Sequence, residues 1–210
     1  MGVDDRRYEN KMANINAETV KKLRELTGAG VMECKRALEE TEGDLERAAA
    51  LLKERGQAAA AKRAGREAKD GLVSSYIHTG GKIGVLIEVN CETDFVARTD
   101  EFQRLVREVA MQVAGLRPVY TTIESIPAAE LEAKKAELMA GEKVLAKPES
   151  VRAQIVEGQL KKWFAEVVLL EQPFRDQDRT VGQLVTEAIA KTGENIKVRR
   201  FVRFELGEEM

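Results

Sequence analysis

Cysteine, histidine and long apolar runs are all scarce in this chain. Its 210 residues include two cysteines and one histidine. Cys34 and Cys91 form no CxxC pair and show no Cys/His spacing suited to zinc. A chain of this size without a disulfide framework fits a reducing compartment. A thiol mechanism would have to bring His78 to Cys34 or Cys91. No segment approaches the ~20 apolar residues that span a bilayer. The opening MGVDDRRYENK is charged and has no apolar run, unlike a secretory signal. The expectation is a cytoplasmic protein with no membrane partner. No one sign of charge dominates either: 34 basic residues face 36 acidic ones, for a net charge of −2. A dedicated duplex-DNA binder needs a surplus of phosphate-neutralising charge. The chain has no GxSxG, HExxH or GxxxxGK[ST] motif, and no carboxylate pair stands out. These absences point away from an enzyme and from any cofactor or metal.

What is present is a soluble, globular composition, 43% hydrophobic and 33% charged. Met12, which opens MANINAETV, reads as an alternative start, so 1–12 is assigned as a loose N-terminal extension. Three short segments then carry helical spacing. Val20, Leu23, Leu26 and Thr27 share one face of the first. Val31, Cys34, Ala37 and Leu38 share a face of the second, and Leu45, Ala48, Ala49 and Leu52 a face of the third. Gly28, Gly30, Gly43 and Gly56 punctuate them, and Asp44 is placed as an N-cap. This predicts a three-helix domain over 13–56 with a thin core. The Ala-rich, basic stretch 57–71 reads as a helical linker.

The period then changes. LVSSYIHT and KIGVLIEVNC flank Gly80-Gly81, a hairpin signal, with Ile83, Val85, Ile87 and Val89 on one face of the second strand. TDEFQRLVREVAMQVAGL is a helix capped by Thr99. RPVYTTI is expected to be extended. PAAELEAKKAELMA is a helix opened by proline, and the stretch ending EQPF is one or two helices broken near Gly158. A further helix, TVGQLVTEAIAKTG, precedes a last strand, NIKVRRFVRFELG. Segregated strands and helices with an antiparallel hairpin predict an α+β core over 72–207.

ETDFV reads as a strand end, then Thr93 or Asp94 as N-cap, then one helical turn before a second cap at Thr99. Composition alone leaves Phe95 open between core and an aromatic held outward, and the more usual place for a phenylalanine is the core. TGAG, at 27–30, follows a helix rather than a strand, so it reads as a corner between helices and not as a phosphate cradle.

LRELTGAGVMECKRAL (23–38) and EVNCETDFVAR (88–98) resemble the two signature motifs of bacterial elongation factor Ts, the guanine-nucleotide exchange factor for elongation factor Tu. EGQLKKWFAEVVLLEQPF, TVGQLV and GENIKVRRFVRFELG are also similar to that family, and the likeness runs over 13–207. The resemblance implies that the N-terminal bundle is a ubiquitin-associated-like module that docks on the GTPase, with Arg24, Met32 and Lys35 on the docking surface. Val31 stands where many members have methionine, a change of similar volume. The resemblance further implies that Asp94 and Phe95, within Thr93–Val96 (TDFV), wedge near the switch region. They would disturb the Mg²⁺ and phosphate site, so that GDP leaves. His78 matches a histidine that contacts the GTPase. The chain itself would bind no nucleotide. Longer members add a second core unit and a C-terminal helical module. This chain ends at FELGEEM and resembles the short subtype, in which two chains pair, so the expectation is a homodimer through the core sheet. Some short members have a cysteine in the last strand. RRFVRF has Val202 and supplies no disulfide there. Two other readings remain: an RNA-binding protein using Lys62, Arg63, Arg66 and Lys69, and a thiol enzyme pairing Cys91 with His78. Neither accounts for TDFV or for TGAG in its helical setting.

Overall fold

The computed structural model describes residues 15–175 and 178–208. The extension expected over 1–12, Met12 included, and the first two residues of the 13–56 span lie outside the described residues. The chain divides into two compact units. One holds residues 15–68 and Thr186–Ile196, the other Lys69–Val185 and 197–208.

In the first unit, helices α1 (Ala17–Thr27), α2 (Val31–Glu40) and α3 (Leu45–Arg63) pack together. Asn16 caps α1, its Oδ1 accepting from the Thr19 N–H at 2.8 Å. Asp44 caps α3 in the same way through the Arg47 N–H at 3.0 Å. Both satisfy donors that the first turn of a helix leaves unpaired. Leu23, Cys34, Ala37, Leu38 and Ala48 form the fully buried core, with Ile15, Val20, Leu45 and Leu52 around it. Leu26 and Val31, which spacing assigned to the apolar faces, are instead exposed. Each lies at the edge of a helical face that buries only one to three residues, so the core is used up before it reaches them. Helix α3 also runs through Gly56 to Arg63. One interior glycine costs about 1 kcal/mol, which the alanine run beyond it offsets by propensity and continued backbone bonding. After α3 the chain leaves helical geometry. There the buried Asn195 side chain donates to the carbonyls of Arg66 (2.7 Å) and Ala64 (3.4 Å).

The second unit is built on an antiparallel sheet in the order β1 (Asp70–Ile77), β2 (Ile83–Cys91), β3 (Lys197–Glu205). The connection between β1 and β2 spans 78–82 and is longer than a two-glycine turn. The His78 N–H closes it on Ile83 O at 2.9 Å, and Gly80 and Gly81 take φ of 92° and 69°. On one sheet face Val85, Ile87, Val89 and Cys91 are buried. Helix α4 (Asp94–Ala97) and helix α5 (Asp100–Leu116) follow β2, and α5 packs on the sheet. Phe102, Leu105, Val106, Val109 and Val113 of α5 are buried. Helices α6 (Ala128–Ala140), α7 (Glu142–Leu145) and α8 (Glu149–Val167) make a satellite core of Val144, Val156 and Leu160. Helix α8 is continuous through Gly158, where a break was open. A Cβ there would meet no atom within 4 Å beyond the neighbouring helix backbone, and helix formers flank it. The stretch 117–123 is less regular than expected. Arg117 turns left-handed at φ 48°, one bridge joins Tyr120 to Val168, and a 3-10 turn occupies Ile123–Ser125. Helix α9 (Val181–Thr192) precedes β3. The whole is a mixture of helices with a small antiparallel sheet, the α+β class. Among the described residues no helix is long and apolar enough to cross a membrane.

Candidate functional site

The turn after β2 sets out the TDFV residues. Thr93 is extended and caps α4, its Oγ1 accepting from the Val96 N–H at 3.4 Å. The Cys91 thiol donates to Thr93 O at 3.1 Å and ties the turn to the sheet end. One turn later Thr99 caps α5 through the Phe102 N–H at 3.3 Å, while its hydroxyl donates to Val96 O at 2.7 Å. Two caps six residues apart leave a single helical turn between them. Val96 and Ala97 face inward and are buried, and Asp94 and Phe95 face outward. Phe95 is 78% exposed. The Asp94 carboxylate accepts from Arg98 Nη2 at 2.7 Å.

The corner between α1 and α2 is also built by backbone geometry. Gly28, at φ 68°, ends α1 with its N–H on Arg24 O at 2.7 Å. The Glu33 carboxylate accepts from the Gly30 N–H at 3.1 Å at the start of α2. Leu26, Val31 and Met32 are exposed around this corner, as are Arg24 and Lys35. Lys35 pairs with Glu39 at 3.9 Å. Leu26 and Val31 are surface residues that helical spacing missed, and only their place at the edge of each apolar stripe could have marked them.

His78 is exposed in the hairpin loop, with Nδ1 hydrogen-bonded to the Tyr76 hydroxyl at 3.1 Å. It is not brought to the TDFV turn. Ile77 pairs with Gly84 at one end of the sheet, whereas Cys91 pairs with Asp70 at the other. The seven-residue offset is roughly 23 Å at ~3.3 Å per residue. The same separation overturns the pairing of Cys91 with His78. The hairpin register puts them at opposite ends, and the other cysteine, Cys34, is buried in the helical core. Among the described residues no group of three or more His, Cys, Asp or Glu side chains could hold a metal ion. Arg24, Met32 and Lys35 belong to the first unit, and His78 and the TDFV residues to the second.

The second face of the sheet is open. Val73, Ile77, Leu86, Val202 and Phe204 lie on it, all exposed. Ile77, Gly84 and Phe204 form one cross-strand row, and Ser75, Leu86 and Val202 the next. Beyond them lies a charged row, where Glu88 accepts from Arg200 Nε at 2.7 Å and sits 3.7 Å from Arg199. Burial pushes the Glu88 carboxyl up. Hydrogen bonds from Arg200 and Asn90 and the charges of Arg200 and Arg199 outweigh that and hold it below the usual glutamate range. At the far end of β3 the Arg203 hydrogen bond, helped by Arg117 and opposed by burial, lowers Glu205 likewise.

The elongation factor TS family model matches residues 6–208. Elongation factor Ts of Heliobacterium modesticaldum is 56% identical over 92% of this chain and 91% of its own length. That of Thermoanaerobacter pseudethanolicus is 55% identical over 92% of this chain and 96% of its own. That of a Cyanothece species is 54% identical over 94% of this chain and 76% of its own.

Proposed function

The chain belongs to the elongation factor Ts family, and from that premise we propose that it is a guanine-nucleotide exchange factor for elongation factor Tu. The observation that carries this reading is Phe95, a large apolar side chain 78% exposed on a turn fixed by two caps. Phe95 and Asp94 are the wedge that enters near the switch region and disturbs the Mg²⁺ and phosphate site. Thr93 and the buried Val96 hold the turn. The α1–α2 corner, with Arg24, Met32 and Lys35, is the docking surface of a ubiquitin-associated-like module, and His78 adds a contact from the hairpin.

Exchange needs no covalent step. It needs tighter binding to the nucleotide-free GTPase than to the GDP-bound form, and the coupling is reciprocal. Shifting that equilibrium by ~10⁴ takes about 5.5 kcal/mol. Burying one phenylalanine yields about 1.5–3 kcal/mol. Phe95 is therefore a share of the footprint, and the apolar corner with Leu26, Val31 and Met32 supports a second contact. A turn ordered before binding lowers the cost of docking.

The open apolar face of the sheet supports the further proposal that two chains pair there as a homodimer.

The test is release of fluorescent GDP from elongation factor Tu. The intact chain is expected to accelerate release, and Phe95→Ala to slow it by roughly ten- to a hundredfold, from its lost burial. Phe95 is exposed, so circular dichroism of the variant should match that of the parent. No acceleration by the intact chain would overturn the assignment. Equal acceleration by both chains would remove Phe95 from its centre.

A further inference from the structure

Arg98 lies one helical turn after Asp94, and its guanidinium closes on that carboxylate at 2.7 Å. Among the described residues the guanidinium has no other side-chain partner. Both side chains are largely exposed, at 79% and 66%. Exposed i,i+4 pairs add little to stability and are screened by salt, so the fold does not require this one. Its effect is on Asp94. Arg98 Nη2 holds one carboxylate oxygen, and the backbone of the turn holds Arg98 through its N–H on Asp94 O at 3.2 Å. Asp94 thus stands in one orientation beside Phe95 in the free protein, with its charge balanced.

We propose that Arg98 is a positioning residue for exchange, one that pre-orders Asp94 for docking. This rests on the wedge reading of Asp94 and Phe95. A carboxylate approaching a site occupied by phosphates meets repulsion. Paired with Arg98 it arrives as a neutral unit, already ordered, and less side-chain freedom is lost on binding. Arg98 acts through Asp94 and needs no contact with the nucleotide.

The experiment measures GDP release from elongation factor Tu with the full chain and Phe95→Ala, Arg98→Ala, Arg98→Lys, Asp94→Asn and the Asp94→Asn/Arg98→Ala pair. Arg98→Ala is expected to slow exchange about 1.5- to fivefold, the range of an exposed ion pair. Arg98→Lys should recover part of the loss. In the Asp94→Asn background Arg98→Ala should add nothing. The Arg98→Ala deficit should shrink by ~0.5 M salt, where the Debye length is under about 5 Å, while the Phe95→Ala deficit persists. A merely structural role for Arg98 would show in a thermal melt and would not vanish with salt. Unchanged exchange in Arg98→Ala, or the same loss in the Asp94→Asn background, would overturn the proposal. A Phe95→Ala chain as fast as the parent would instead overturn the wedge reading beneath it.

Discussion

Gly28 and Gly71 both carry positive φ, 68° and 138°, but their surroundings differ. A Cβ at Gly28 would lie 2.3 Å from Cε of Lys191, the far end of a flexible side chain that can swing away. The remaining cost of a left-handed alanine is about 1–2 kcal/mol. A Cβ at Gly71 would lie 2.1 Å from the carbonyl oxygen of Val89 and 2.7 Å from the Cα of Asn90, both backbone atoms of the paired strand. Neither can move without breaking the β1–β2 register, and such a φ is nearly closed to other residues. Gly28→Ala is therefore expected to lower unfolding free energy by about 1–2 kcal/mol, and Gly71→Ala by more than about 4 kcal/mol or to prevent folding. Urea titrations of the two variants would check this, and equal losses would refute the backbone clash. Sequence gave no warning at Gly71, because a residue inside a strand does not announce how closely its partner approaches. Phe95 shows the same limit. Spacing left it open between core and surface, and its exposure follows from the two threonine caps that turn Val96 inward.

At the scale of elements, periodicity located the helices and strands well and their ends less well. The strand face of Val85, Ile87 and Val89 and the caps Asp44 and Thr99 were all legible, because each rests on neighbours close in sequence. Gly56 reads as a stop and Gly158 leaves one or two helices open, yet α3 and α8 run through both. Flanking propensity outweighs a single glycine. Of the ion pairs of β3, that of Glu88 with Arg200 was not legible, since the two are 112 residues apart. These pairs make the sheet acid-sensitive. Glu88 and Glu205 both have lowered folded pKa values. Their contribution is therefore complete above the unfolded glutamate value of about 4.3. It is lost as pH falls through the lower folded values. Glu88 faces Arg199, Arg200 and Asn90, and Glu205 faces Arg117 and Arg203, so protonation leaves arginines against arginines. Thermal melts of Glu88→Gln/Glu205→Gln at one protein concentration should lie below the parent at pH 7. The two should converge as pH falls below about 4.3 and through the lower folded values. A constant gap across that range would mean the pairs are not the source.

At the scale of the molecule, the sheet of the second unit presents an exposed apolar face, that of Val73, Ile77, Leu86, Val202 and Phe204. Three strands about 4.8 Å apart and eight residues long give a face of roughly 14 by 27 Å, on the order of 400 Å². A standard interface takes about 800 Å² from each partner. At about 25 cal/mol per Å², 400 Å² on each chain yields on the order of 20 kcal/mol if all of it were apolar. The charged row of Glu88 and Arg200, with the polar Ser75 and the side-chain-free Gly84, roughly halves that, to about 10 kcal/mol. Association costs at least ~4 kcal/mol, which leaves at most about 6 kcal/mol, so the face alone supports a dimer no tighter than tens of micromolar. Light scattering should then show a mass that rises with concentration. Phe204→Glu is expected to hold the chain monomeric. The side chain is 67% exposed, so circular dichroism should stay that of the parent. If exchange needs both copies, the deficit of the same variant relative to the parent should be largest at high concentration, where the parent is dimeric, and should vanish on dilution, where the parent also dissociates. A parent that stays monomeric at ~100 µM, or a Phe204→Glu chain that associates as the parent does, would place the partner of this face elsewhere.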